Sequence, residues 1–99
     1  MATQIYQVTD SPVNLNGADD IEGNAITLTA GETYVGRYIS TGLAYDFLKT
    51  VEAATAPDAA DPGLPVYHKE DMAIIPVAGE GIYVWNTRGV GRIIVNEGS

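Results

Sequence analysis

The sequence predicts an all-β domain, a compact antiparallel β-sandwich or small barrel of about seven or eight short strands. Three observations carry that expectation. Runs rich in Ile, Val, Tyr and Thr recur along the chain, as in "TYVGRYIS", "GIYVW" and "RIIVNE". Such residues suit a pleated, half-buried surface. Turn residues interrupt these runs at short intervals, among them Asn16-Gly17, Gly23-Asn24, Gly31 and Gly79. Finally, Ala-Gly-Glu occurs twice, at 30–32 and 78–80, each time after an apolar stretch and just before Tyr-Val. The second copy carries one extra residue before its Tyr-Val.

Taken in order, "QIYQV" (4–8) alternates, with Ile5 and Gln7 on one side and Tyr6 and Val8 on the other. It reads as a leading strand or an arm. Residues 10–24 are turn chemistry, since Pro12 fixes φ and the Asn-Gly and Gly-Asn pairs suit φ > 0. "AITLT" then places Ile26 and Leu28 on one face, and "TYVGRYIS" follows the first Ala-Gly-Glu. Two alternating runs around a short Gly-containing turn predict a hairpin. Gly31 and Gly79 are the expected turn residues, because glycine takes positive φ without steric cost.

Residues 42–57 fit two descriptions. Leu43, Phe47, Leu48 and Val51 share a helical face, whereas Tyr45, Phe47, Lys49 and Val51 alternate as on a strand. A short helix near 43–55 and a strand both fit, and the β-rich flanks favour the strand. "APDAADPGLP" (56–65) is an exposed loop, too short to separate domains. The last third holds an apolar run, the second Ala-Gly-Glu turn, "IYVW", a polar turn and the final run "RIIVNE". Pro76 belongs at an edge, a bulge or a strand end. The expected division is an N-terminal arm or leading strand with its loop over 1–23, and a β-rich globular domain over 24–99.

With 99 residues, 45% of them hydrophobic, the chain suits one small domain with a modest core. It has no apolar run long enough for a transmembrane helix, and its first residues lack the pattern of a secretory signal. The absence of cysteine excludes disulfides and thiolate metal sites. Synthesis in a cytosol, without membrane association, is the simplest expectation. The net charge is −8, and the five basic residues are scattered rather than clustered. Direct nucleic-acid binding needs a basic patch, so it is not expected. The acidity serves solubility or complements a basic patch on a protein partner.

Little in the sequence suggests catalysis or a cofactor. His68 has Glu70 and Asp71 nearby, but a zinc site needs three or four convergent ligands and no second His or any Cys exists. Asp19, Asp20 and Glu22 lie in a turn-rich stretch without the spacing of an EF-hand loop. "GEGIYV" and "RGVGR" lack a full phosphate-binding glycine pattern, and no serine sits in a nucleophile elbow. Catalytic, cofactor and metal residues are therefore all expected to be none. Tyr6, Tyr83 and Trp85 are the interface candidates, because aromatic residues are enriched at protein contacts. Core packing is the competing account of the same residues.

The stretch "AGEGIYVWNTRGVGRIIVNE" (78–97) resembles the C-terminal signature of small virion structural proteins of tailed bacteriophages. In these a Tyr/Trp-rich strand, a Gly-containing turn and a final strand close a compact β domain. "ITLTAGETYVGRYISTG" and the "EAATAPDAADPGLPV" loop fit the same pattern, so the resemblance covers about two thirds of the chain, from Ala25 onward. It implies a non-enzymatic virion component, most often a capsid decoration (cement) protein. Such a protein acts as a homo-oligomer and stabilises the shell by binding the major capsid protein or another virion protein. The alternatives are a tail, neck or fibre-associated adaptor, and a carbohydrate-binding β-sandwich that stacks sugars on Tyr and Trp. An N-terminal arm that orders on the shell would tolerate deletion of residues 2–10 without unfolding the domain.

Overall fold

A computed structural model describes residues 3–41 and 46–97. Alternation along the strands decides what faces inward. In strand β3 (Tyr34–Ile39), Tyr34, Gly36 and Tyr38 are buried, while the residues between them face out. The other strands in chain order are β1 (Gln4–Gln7), β2 (Val13–Asn14), β4 (Leu48–Ala53), β5 (Leu64–Val66), β6 (Asp71–Ile74), β7 (Gly81–Trp85) and β8 (Arg92–Glu97).

They build two four-stranded sheets, ordered β1-β8-β3-β6 and β2-β7-β4-β5, with every pairing antiparallel. The molecule is thus all-β, as expected, and among the described residues it has no helix. Successive strands cross from one sheet to the other at each step except β4–β5, which pair directly. This strand order is that of a double-sheet jelly roll, two interlocked Greek keys. Advancing each strand number by four converts one sheet order into the reverse of the other. The two halves of the chain therefore follow one path.

The core lies between the sheets. Tyr6, Tyr34, Tyr38, Ile74, Ile93 and Val95 enter it from the first sheet, and Leu48, Val66, Ile82 and Val84 from the second. Val8, Leu15, Ile26 and Leu28 close it from the connections. Gly36 sits within this packing, where an added Cβ would lie 3.0 Å from Ile74 Cδ1 and 3.3 Å from Ile93 Cγ2. A side chain there would overfill a close-packed interior.

Two expectations change on this fold, and two that held alternatives are decided. Gly31 and Gly79 do adopt positive φ, 85° and 84°. Their turns close with matching bonds, Glu32 N–H to Thr29 C=O at 3.2 Å and Glu80 N–H to Val77 C=O at 3.0 Å. Glycine at the third position with positive φ makes each a type II turn. Neither turn closes a hairpin, however: the first leads into β3 and the second joins β6 in one sheet to β7 in the other. The 25–29 segment finds other partners, and Asn16 takes the place of a strand, its side chain bonding Leu28 N–H at 3.0 Å and Leu28 C=O at 3.2 Å. Secondly, within 42–57 the strand β4 forms over Leu48–Ala53, and no helix occurs in 46–55; residues 42–45 lie outside the described ones.

Thirdly, of the leading strand and the arm that fit residues 4–8, the strand forms and is built into the sandwich. Tyr6 pairs across from Ile93, and Tyr6, Val8 and Leu15 are buried in the core. Fourthly, the 54–63 connection is more than an exposed loop. It roofs the outer face of the second sheet, where Trp85 Nε1–H donates to Ala59 C=O at 3.1 Å and Lys49 Nζ to Asp61 C=O at 3.2 Å.

Candidate functional site

The expected interface aromatics divide on the strand period. Tyr6 faces the core and is 5% exposed; burial pushes its phenol pKa up, against a smaller opposing effect of a hydrogen bond with Thr9. Trp85 is fully buried, yet it lies outside the core cluster, on the outer face of its sheet under the 54–63 roof. The Lys49 ammonium stands 5.9 Å from the centre of its ring, within cation–π range. Both residues are consumed inside the chain and do not reach its surface. Tyr83 remains half-buried, across from Val51 and Asn14 on the same outer face.

The polar residues weighed for chemistry are engaged in turns. Asp20 is nearly buried, and its Oδ1 accepts the N–H groups of Glu22 and Asn24, both at 2.9 Å. Its Oδ2 accepts from Gln4 Nε2 at 3.1 Å. The Asn24 N–H first, and then the Gln4 amide, hold this carboxyl below its ordinary value of 3.8. His68 Nδ1 accepts the Ser40 N–H at 2.9 Å, so a neutral ring carries its proton on Nε2. Asp71 forms a forked pair with Arg37 on the outer face of the first sheet, at 2.7 and 3.2 Å. Among the described residues, no three His, Cys, Asp or Glu side chains are grouped to hold a metal ion.

Sequence reasoning did not single out Asn86, which is fully buried. Its Nδ2 donates to Tyr38 Oη at 3.1 Å and to Phe47 C=O at 2.9 Å, while its Oδ1 accepts the Arg88 N–H at 2.8 Å. Tyr38 Oη in turn donates to Val90 C=O at 3.1 Å. Burial, and next the Asp46 charge, push the Tyr38 phenol upward. This knot ties the β7–β8 turn to the end of β3. The only prior signal was a polar residue directly after a strong strand.

A second feature was also missed: where the exposed apolar side chains collect. Six large apolar side chains among the described residues are at least 40% exposed; Ile21 lies in the β2–β3 connection, and the other five, Phe47, Leu64, Tyr67, Ile75 and Val77, come from β5, β6 or the segments adjoining them and β4. Phe47 and Tyr67 pack with their rings tilted by 52°, 5.8 Å between centres. β5 and β6 are edge strands of opposite sheets, and between them lies a cleft of about 310 Å³. Leu64, Val66, Met72, Ile75 and Ile82 line it, with Glu52 at its wall. Alternation marks these positions as strand residues but does not reveal that two sheet edges meet there.

No family model, no curated protein and no solved structure matches the chain. The class that its geometry defines is a small jelly-roll β-sandwich.

Proposed function

We propose that this chain is a non-enzymatic virion structural protein, a capsid decoration protein that binds the assembled shell of a tailed bacteriophage and stabilises it. The observation that carries the reading is the contrast between its polar and its apolar side chains. Asp20, His68, Lys49 and Asn86 serve turns and connections, while a row of large apolar residues stays exposed along one edge. Exposed apolar surface of this kind marks contact with another macromolecule. The β-rich ending at 78–97 supplies the virion class by its resemblance, and a jelly roll is among the architectures that viral shells use. A module that binds only the assembled lattice stabilises it by mass action.

Co-sedimentation with purified shells at low and high salt tests this. Attachment through apolar contacts should survive moderate salt, because screening weakens exposed charge pairs. Protein that is recovered on tails and never on shells would transfer the reading to a tail or neck adaptor. The carbohydrate alternative loses its main stacking platform, since Trp85 lies under the 54–63 roof.

A further inference from the structure

We infer that the seam between β5 and β6 is a docking groove for an extended segment of a partner protein, one that alternates apolar side chains with Lys or Arg. The inference deepens the shell-binding reading and rests on it only for the identity of the partner.

Backbone chemistry sets the first requirement. Among the described residues β6 pairs with β3 on one side only, so its other edge presents backbone groups toward the seam that no strand among those residues takes up. Across the seam, β5 carries Pro65, which removes one donor from its own edge. On the opposite flank the outer edge of β1 differs. There Ile21 N–H bonds Ile5 C=O at 2.8 Å and Gln4 reaches Asp20 and Ala25, so the connection after β2 covers β1. β6, unlike β1, is therefore an edge that can accept an added strand.

Side chains set the second. A strand laid beside β6 points alternate residues inward and outward. The inward ones meet a cleft of about 310 Å³ walled by Leu64, Ile75 and Ile82. That is near the lower limit of roughly 300–1,000 Å³ for small-molecule pockets, and a row of aliphatic side chains suits it better than a drug-sized ligand. Leu64 at 73% and Ile75 at 51% exposure flank its opening, where they gain most from being covered.

Charge chooses the occupant. Glu52 stands in the wall of the cleft, and Glu80 and Glu32 belong to the two Ala-Gly-Glu turns that adjoin Ile75–Val77, joined by the Gly31 N–H to Pro76 C=O bond of 3.1 Å. None of the three carboxylates is ion-paired among the described residues. A second copy would bring the same acidic rim and another net charge of −8 against this one. Like charges facing each other suppress that pairing, whereas Lys or Arg alternating with apolar residues satisfies both rim and cleft.

The test uses the full chain labelled with 15N and three synthetic heptapeptides: alternating Val and Lys, alternating Val and Glu, and alternating Gly and Lys. The Val/Lys peptide should shift the amide signals of 64–66 and 71–77 saturably, and the other two should not. Glu52→Lys and Leu64→Glu should each weaken its binding about tenfold or more. Both positions are exposed, and unchanged melting temperatures and dispersed spectra will show that the variants fold. Equal shifts with the Gly/Lys or Val/Glu peptide, shifts confined to other residues, or no shifts at all overturn the inference. Seam signals that move with protein concentration alone overturn it in favour of a second copy. The same variants separate this groove from the shell reading. If the Val/Lys peptide does not map to the seam while the parent and both variants co-sediment with shells, the groove is refuted and decoration stands. If the Val/Lys peptide maps to the seam but the protein never co-sediments with shells, the groove stands and decoration is refuted.

Discussion

Asp20 and Asn86 show how single polar side chains hold connections that no ladder supports. A carboxylate that accepts two backbone N–H groups is favoured in its charged form, and this lowers its pKa. Its contribution to stability is thus complete above the ordinary value of 3.8 and is lost as pH falls through the lower folded value. Asp20→Asn should flatten the acid limb of the stability curve, read as denaturant midpoints between neutral pH and pH ~3. A limb as steep as in the parent would place the acid sensitivity elsewhere. Asn86→Ala should cost about 1–3 kcal/mol, because it leaves the Phe47 carbonyl and the Arg88 N–H without their partner inside the fold. Denaturant unfolding measures this directly, and Asn86→Asp, which sets an unpaired carboxylate against the Phe47 carbonyl in a fully buried site, should recover none of the loss at neutral pH.

At the level of elements, the two Ala-Gly-Glu turns occupy corresponding connections, β2–β3 and β6–β7, of the two halves. They also touch, through Gly31 N–H and Pro76 C=O. The neighbouring Tyr-Val pairs do not correspond. Three residues beyond the turn glycine, the first copy has Tyr34 and the second has Ile82, and both are buried. The extra residue before Tyr83 moves it to the opposite face, as any one-residue slip on a strand must. Tyr34 also holds its own turn, with its Oη accepting the Thr29 N–H at 2.8 Å. Space around both turn glycines is open, so an added methyl meets no neighbour and acts through backbone strain alone. Gly31→Ala and Gly79→Ala should each lower stability by about 1–2 kcal/mol, the cost of left-handed backbone for an L-residue. An unchanged melting temperature in both would contradict the turn geometry.

For the whole molecule, the sandwich has no dispensable N-terminal arm. Deleting residues 2–10 removes the edge strand β1 and two core side chains, Tyr6 and Val8. Each buried side chain of this size contributes about 1.5–3 kcal/mol, against a total stability of about 5–15 kcal/mol for a domain. The deletion also bares the edge of β8. The truncated chain should be unfolded or aggregated, checked by circular dichroism and size-exclusion chromatography. A folded, monomeric product would show that β1 is an accessory after all.

How much of this was legible along the chain follows from the range of the forces involved. The all-β class, about eight strands, the positive φ of Gly31 and Gly79 and the shared faces of Tyr6 with Val8 and of Ile26 with Leu28 follow from local rules. Side-chain alternation and turn sterics act within a few residues, so the sequence by itself determines them. Strand partnership is different. "AITLT" and "TYVGRYIS" look like a hairpin, yet Ile26 and Leu28 bond residues 16–18 while β3 pairs with β6 and β8, partners that local pattern does not name. The surface was decided in the same way. Trp85 and Leu64 both read as strand hydrophobics, but the 54–63 roof buries one, and the meeting of two sheet edges leaves the other exposed. Those outcomes depend on contacts between residues distant in sequence, whose closure local propensity does not encode, and only the tertiary structure decided them.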